Sequence, residues 1–182
     1  MVEFATFSDL ERITGDIPLH EQRSLQNKAS NKSEKDTFLS HSSKDAKYLP
    51  AVIRILNNHG ASVYCDLDDG RLPDNPSPET AQFVRNQIDA SRRLVVFITK
   101  NSKDSKWVPW ELGIADSGLG MKNVAIFPAA QSSNEQIWAR QEYLGIYRQI
   151  VWGRMKGEAK NRWIVLDHRK NIATGLRDWC RS

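Results

Sequence analysis

From Asp36 to Pro128 the chain alternates short apolar runs with stretches whose apolar residues fall at helical spacing, and this constrains the fold more than any other feature. Asp36 to His41 reads as a first strand. Tyr48, Leu49, Val52, Ile53, Ile55 and Leu56 then follow helical spacing up to the stop at Asn57-Asn58-His59-Gly60. Ala61 to Cys65 reads as a second strand, Glu79 to Ala90 as a helix and Arg92 to Thr99 as a third strand. Lys106 to Leu119 follows as a helix and Asn123 to Pro128 as a fourth strand. Strands alternating with helices of this length predict an α/β fold, with a mostly parallel central sheet covered by helices on both faces. The chain has 182 residues, enough for one such domain and an extension but not for two domains.

The ends differ from this middle. Residues 1–35 read as an N-terminal extension, with Phe4, Phe7, Leu10 and Ile13 on one face of a short helix and Ser24 to Lys35 as a polar linker. Residues 36–182 read as the domain proper. Toward the other end, Tyr147 to Trp152 and Arg162 to Asp167 suggest a hairpin, and Asn171 to Cys180 a closing helix. Several function classes are disfavoured. The apolar runs fall far short of the roughly 20 residues a membrane helix needs. The first residues lack the basic start and apolar run of a secretory signal, so a cytoplasmic location is expected. A net charge of +4 with no compact basic block argues against nucleic acid, and the cations of Arg148 to Arg169 read as a solvated strand face. Two cysteines, Cys65 and Cys180, are too few for a zinc site or a disulfide framework.

The stretch Asp104 to Asp116, DSKWVPWELGIAD, sets Trp107 and Glu111 four positions apart where a strand gives way to a helix. That spacing puts a ring able to stack on a flat ligand beside a carboxylate able to stabilise positive charge, an arrangement suited to a nucleotide with a cationic base. The alternative is structural, with Trp107 and Trp110 as core aromatics and Glu111 as a helix cap. Pro109 fits only near the first turn, so Glu111 is expected close to the helix N-terminus, where the dipole favours an ionised carboxylate.

Three motifs in order, DTFLSHSSKD (Asp36 to Asp45), GASVYCD (Gly60 to Asp66) and the Ser105, Trp107 and Glu111 set preceded by QIDASRRLVVFIT, resemble a Toll/interleukin-1 receptor (TIR) domain. The likeness is to the bacterial stand-alone type, as in the TIR component of Thoeris-like antiphage defence, and is best over residues 36–128. It implies a flavodoxin-like, three-layer fold with a C-terminal hairpin plus helix. It also implies an enzyme that breaks the nicotinamide–ribose bond of NAD+, giving ADP-ribose or a cyclic or conjugated ADP-ribose signal. NAD+ is then substrate and not cofactor. Glu111 would be catalytic, Trp107 would pack on a ring of the dinucleotide, and Ser40 and His41, at the strand end where open parallel sheets bind ligands, would contact ribose or phosphate. Asp66 would contact ribose or fix the following loop. The resemblance further implies contacts between TIR copies and a separate effector that senses the product.

Asp66, Asp68 and Asp69 invite a metal reading, but the calcium-loop pattern fails at Gly70 and at the twelfth position, so no metal is assigned. No phosphate-binding Gly-rich loop and no serine-hydrolase elbow occurs. Two other functions stay open: a non-catalytic TIR adaptor that assembles through its surfaces, and a related fold acting on free nucleosides.

Overall fold

The computed structural model describes residues 2–30, 35–65, 77–105, 107–132 and 145–182. Its central strands are β3 (Thr37–Ser40), β4 (Val63–Tyr64), β5 (Arg93–Ile98) and β6 (Val124–Ala130), followed by β7 (Arg148–Gly153), β8 (Arg162–Asp167) and β9 (Ile172–Gly175). They form one sheet in the order β4-β3-β5-β6-β7-β8-β9. Pairing is parallel from β4 through β7 and antiparallel for β7 with β8 and β8 with β9. The helices α3 (Leu49–Asn58), α4 (Pro78–Asp89) and α5 (Trp107–Leu119) flank the parallel part, and α6 (Leu176–Arg181) follows β9.

Period-two alternation along fully buried strands sorts the side chains into two cores. Leu39, Val95, Phe97, Ala125 and Phe127 pack with Leu49, Val52, Ile53 and Leu56 of α3 and Leu176 and Trp179 of α6. Their neighbours Phe38, Leu94, Val96, Ile98, Val124 and Ile126 face the other way, onto Val84 and Ile88 of α4 and Val108, Leu112 and Ala115 of α5. The result is the expected three-layer α/β fold. Local signals set the helix ends. Ser77 accepts from Thr80 N at 3.2 Å ahead of Pro78, and α5 stops before Gly120, whose φ of 77° belongs to the left-handed region.

The N-terminal residues depart from expectation. Phe4 lies not in a helix but between two short strands, β1 (Val2–Glu3) and β2 (Ala5–Thr6), and is buried in the α4/α5-side core. β1 pairs antiparallel with β7, and β2 pairs parallel with β6. Thr6 then caps α1 (Phe7–Gly15) in a reciprocal box with Asp9. Ser24 to Ser30, expected as linker, are the second half of α2 (Leu19–Ser30). One narrow apolar stripe suffices for this helix: Leu25 and Ala29, four apart, pack on the α3-side core, and Ala29 O accepts from Cys65 N at 3.0 Å. Gln22 Nε2 donates to Thr14 O and Ile17 O at 3.0 and 2.8 Å, tying α2 to α1.

A file of aromatic rings runs through the α3-side core. Phe7 of α1 stacks on Tyr48 at 5.0 Å, and edge-on or tilted contacts of 5.2 to 6.3 Å carry on through Phe97 and Phe127 to Trp163 of β8. The far end brings a second correction. Asn171 adopts φ of 53° at the end of a turn, and Ile172–Gly175 pair with β8 as a strand, leaving only Leu176–Arg181 helical. The hairpin expected for the two strands before it is present as β7 and β8.

Since Leu10 of α1 is fully buried, Leu10→Ala is expected to destabilise the whole protein by about 2–5 kcal/mol in urea denaturation. A loss below about 0.5 kcal/mol would mean that α1 is a detachable arm.

Candidate functional site

Ser40 ends β3 at its carboxyl edge, beside the carboxyl end of β5, and α5 begins from the connection that leaves β5. Topology thus brings the start of α5 to the strand end where open α/β sheets place their ligands. Trp107 is the first residue of α5, and Val108 N donates to Ser105 Oγ at 3.3 Å, which satisfies one amide of the opening turn. Pro109, in the first turn, has no amide hydrogen to satisfy, and Val108 before it is helical. Glu111 comes one turn after Trp107 on the same face, and its carboxylate is buried at 6 % exposure.

Ser40 Oγ donates a short hydrogen bond to Glu111 Oε2. Two residues 71 positions apart therefore meet at the sheet edge, both buried. Next to Ser40, His41 is 7 % exposed, and its Nδ1 lies 3.6 Å from the Cys65 thiol, which is fully buried at the end of β4. Burial lowers the His41 pKa to about 4, against a smaller opposing effect from a backbone hydrogen bond with Leu39. The imidazole is neutral at ordinary pH, so it adds no positive charge beside the Glu111 carboxylate. Trp107 is half-buried and meets Trp110 edge-on at 5.4 Å, against the α5-side core. Ser40, His41 and Glu111 are thus brought to one place, with Trp107 a turn away from Glu111. Asp66 lies outside the described residues, as do the other residues of the loop up to Pro76.

In the sequence Asp45 is only the last residue of the DTFLSHSSKD motif, and the structure gives it a larger part. Its side chain is fully buried; Oδ2 accepts from Thr99 Oγ1 and Oδ1 from Asn101 Nδ2, both at 2.7 Å. Asp45 belongs to the 3-10 helix Ser43–Tyr48 that follows Ser40 and His41, and Thr99 and Asn101 to the cap and first turn of the 3-10 helix Lys100–Asp104 that leads to Trp107 and Glu111. The carboxylate therefore clamps together the two segments carrying the site. A lone acidic residue in a polar turn, followed 54 positions later by Thr at a strand end, was the only signal in the sequence. Among the described residues no group of three His, Cys, Asp or Glu is placed to hold a metal ion.

A family model described as TIR domain matches residues 37–162. The chain belongs to the TIR domain family. Its relatives include the "Probable 3' cyclic ADP-D-ribose synthase ThsB'" of Bacillus cereus (strain MSX-D12), 34 % identical over 150 residues, which cover 81 % of this chain and 76 % of that protein. A Cytobacillus dafuensis protein with the provisional name cyclic ADP-D-ribose synthase TIR2 is 33 % identical over 94 residues, covering 50 % of this chain and 25 % of the other. In this TIR domain the carboxyl ends of β3 and β5 and the start of α5 all fall inside the family match.

The His41 pKa gives a pH dependence of definite sign. The folded state holds a neutral imidazole down to about 4, whereas the unfolded chain takes up a proton near 6.5, so the unfolded state binds more protons between these values. Stability is complete above about 6.5 and falls toward 4, by an amount on the order of 3 kcal/mol. Urea denaturation of wild type and His41→Gln across this range should show a shallower pH slope in the variant. Equal slopes would place the acid sensitivity elsewhere.

Proposed function

We propose that this TIR domain is an NAD+-consuming enzyme that breaks the nicotinamide–ribose bond and closes the ribosyl group into a cyclic ADP-ribose. The observation that carries this reading is the buried Glu111 carboxylate held by the Ser40 hydroxyl at the carboxyl edge of the parallel sheet. The names of the relatives, both cyclic ADP-D-ribose synthases, support the same reaction class.

The chemistry needs little from the protein beyond charge and placement. Nicotinamide is bound in NAD+ as a pyridinium; when its bond to the ribose anomeric carbon breaks, the electron pair stays on nitrogen and a neutral base departs. No general acid is required. The ribose left behind is oxocarbenium-like, and a carboxylate fixed against it lowers the barrier, as in glycoside hydrolysis. Glu111 takes that part. Ser40 orients the carboxylate, and a neutral His41 avoids the repulsion that an imidazolium would exert on pyridinium and ribosyl cation alike. Trp107 packs on a ring of the dinucleotide. Cyclisation is completed when a hydroxyl of the same molecule attacks the anomeric carbon and gives up its proton; attack by water gives linear ADP-ribose. By the TIR resemblance, the product would be a signal in antiphage defence read by a separate effector, with contacts between TIR copies contributing to activity.

Purified wild type and Glu111→Gln, incubated with NAD+ at high protein concentration, provide the test, with nicotinamide release and product mass followed by chromatography and mass spectrometry. Glu111→Gln is expected to lose at least about 100-fold in rate. Retention of wild-type turnover by that variant overturns the assignment, and a wild type inert at every concentration favours an adaptor role. Ser40→Ala should keep its fold and lose roughly 10- to 100-fold in kcat, the range of one hydrogen bond to a charged group. Trp107→Ala should act mainly on KM.

A further inference from the structure

At the opposite end of the sheet from Glu111, the amino ends of β5, β6 and β7 border a cavity of about 600 Å³. Its lining includes Arg92, Arg93, Lys122 and Arg148, with Asn123 and Ser182, and no Asp or Glu side chain among the described residues. Arg93 is the anomaly. It is 1 % exposed, yet its Nε and Nη1 have no hydrogen-bond partner, and its Nη2 donates only to the main-chain oxygen of Ser182. Its guanidinium lies 5.6 Å from the centre of the Trp179 ring, which leaves the in-plane donors uncommitted. Asp36, close by, accepts through Oδ1 from Thr37 Oγ1 and Ser62 N. No ion pair joins it to Arg93 among the described residues. A buried guanidinium with two donors unmet is rare unless an acceptor completes it.

The other three cations reinforce the point. Arg92 and Lys122 are exposed and make no ion pair among the described residues. Arg148 is partly committed, through Nη1 to Lys122 O at 2.9 Å and through Nε to Asp167 at 3.7 Å. Even a full negative charge at Ser182, together with Asp167, would neutralise only half of the set. Asn123 Nδ2 donates to Leu119 O at 2.9 Å, so one of the terminal carbonyls of α5 is capped rather than turned on the cavity.

We propose that this cavity is a binding site for the phosphate group of a small phosphorylated ligand, with the Arg93 donors at its floor and Arg92 and Lys122 at its mouth. Guanidinium forks suit phosphate oxygens, and the volume lies in the range of small-ligand pockets. The site is separate from the Glu111 edge and does not depend on the reaction proposed there.

Isothermal titration calorimetry at constant ionic strength tests it on the full chain, with inorganic phosphate, AMP and ribose as probes. Wild type and Glu111→Gln should bind phosphate equally, ribose should not bind, and Arg92→Ala/Lys122→Ala should bind phosphate at least ten-fold more weakly while retaining the wild-type melting temperature. Arg93→Met should abolish binding where it folds; the double variant, whose changes are at the surface, decides the matter if it does not. AMP binding tighter than phosphate would identify a nucleotide as the ligand, and equal binding the phosphate group alone. Absence of phosphate binding to wild type, or equal affinity in the double variant, overturns the proposal.

Discussion

A fully buried carboxylate is tolerable only where donors replace the water it has lost, and the carboxyl edge of this sheet is organised around one. Asp45 has both oxygens satisfied, by Thr99 and Asn101, and through them two connections that share no sequence proximity are held in fixed relation. Removing either donor would leave a buried charge underpaired, so the clamp cannot loosen gradually. The Ser40 to Glu111 bond depends on it, because Ser40 lies just upstream of Asp45 and Glu111 downstream of Asn101. A cleft that must hold a carboxylate against a developing cation needs such fixed dipoles, since reorganisation at the moment of reaction would cost rate.

The same edge shows how burial and chemistry combine. Ser40, His41, Asp45, Thr99 and Glu111 are all polar and all buried at this edge. Two of these groups are carboxylates satisfied by hydroxyl or amide donors, and the third titratable group, His41, is kept neutral by desolvation. His41 therefore adds no positive charge beside Glu111, while Arg92, Lys122 and Arg148 gather with Arg93 at the other end of the sheet.

How much of this could be read from the chain follows from the range of the interactions. The run Leu94 to Ile98, the spacing of Leu49 to Leu56 and the Trp107 to Glu111 step are local patterns, and the parallel sheet, its layers and the start of α5 were legible from them. The three ordered motifs carried the family. Two-residue strands such as β1 and β2 have no period to detect, so Phe4 was read into the helix that begins three residues later. α2 was hidden because its apolar stripe is only Leu25 and Ala29. The Asn171 turn masked β9, since Ile172, Leu176 and Trp179 also fit a helical step. Asp45 and Arg93 owe their roles to partners 54 and 89 residues away, beyond any local pattern.

The pairing of β1 with β7 joins Val2 to Gly153. A chain made from its amino end must therefore hold β1 without this partner until everything up to β7 has been made. Contacts of such long sequence separation are slow to form, and an unpaired strand is open to wrong partners in the meantime. This pairing therefore closes late, when residues separated by most of the domain finally meet.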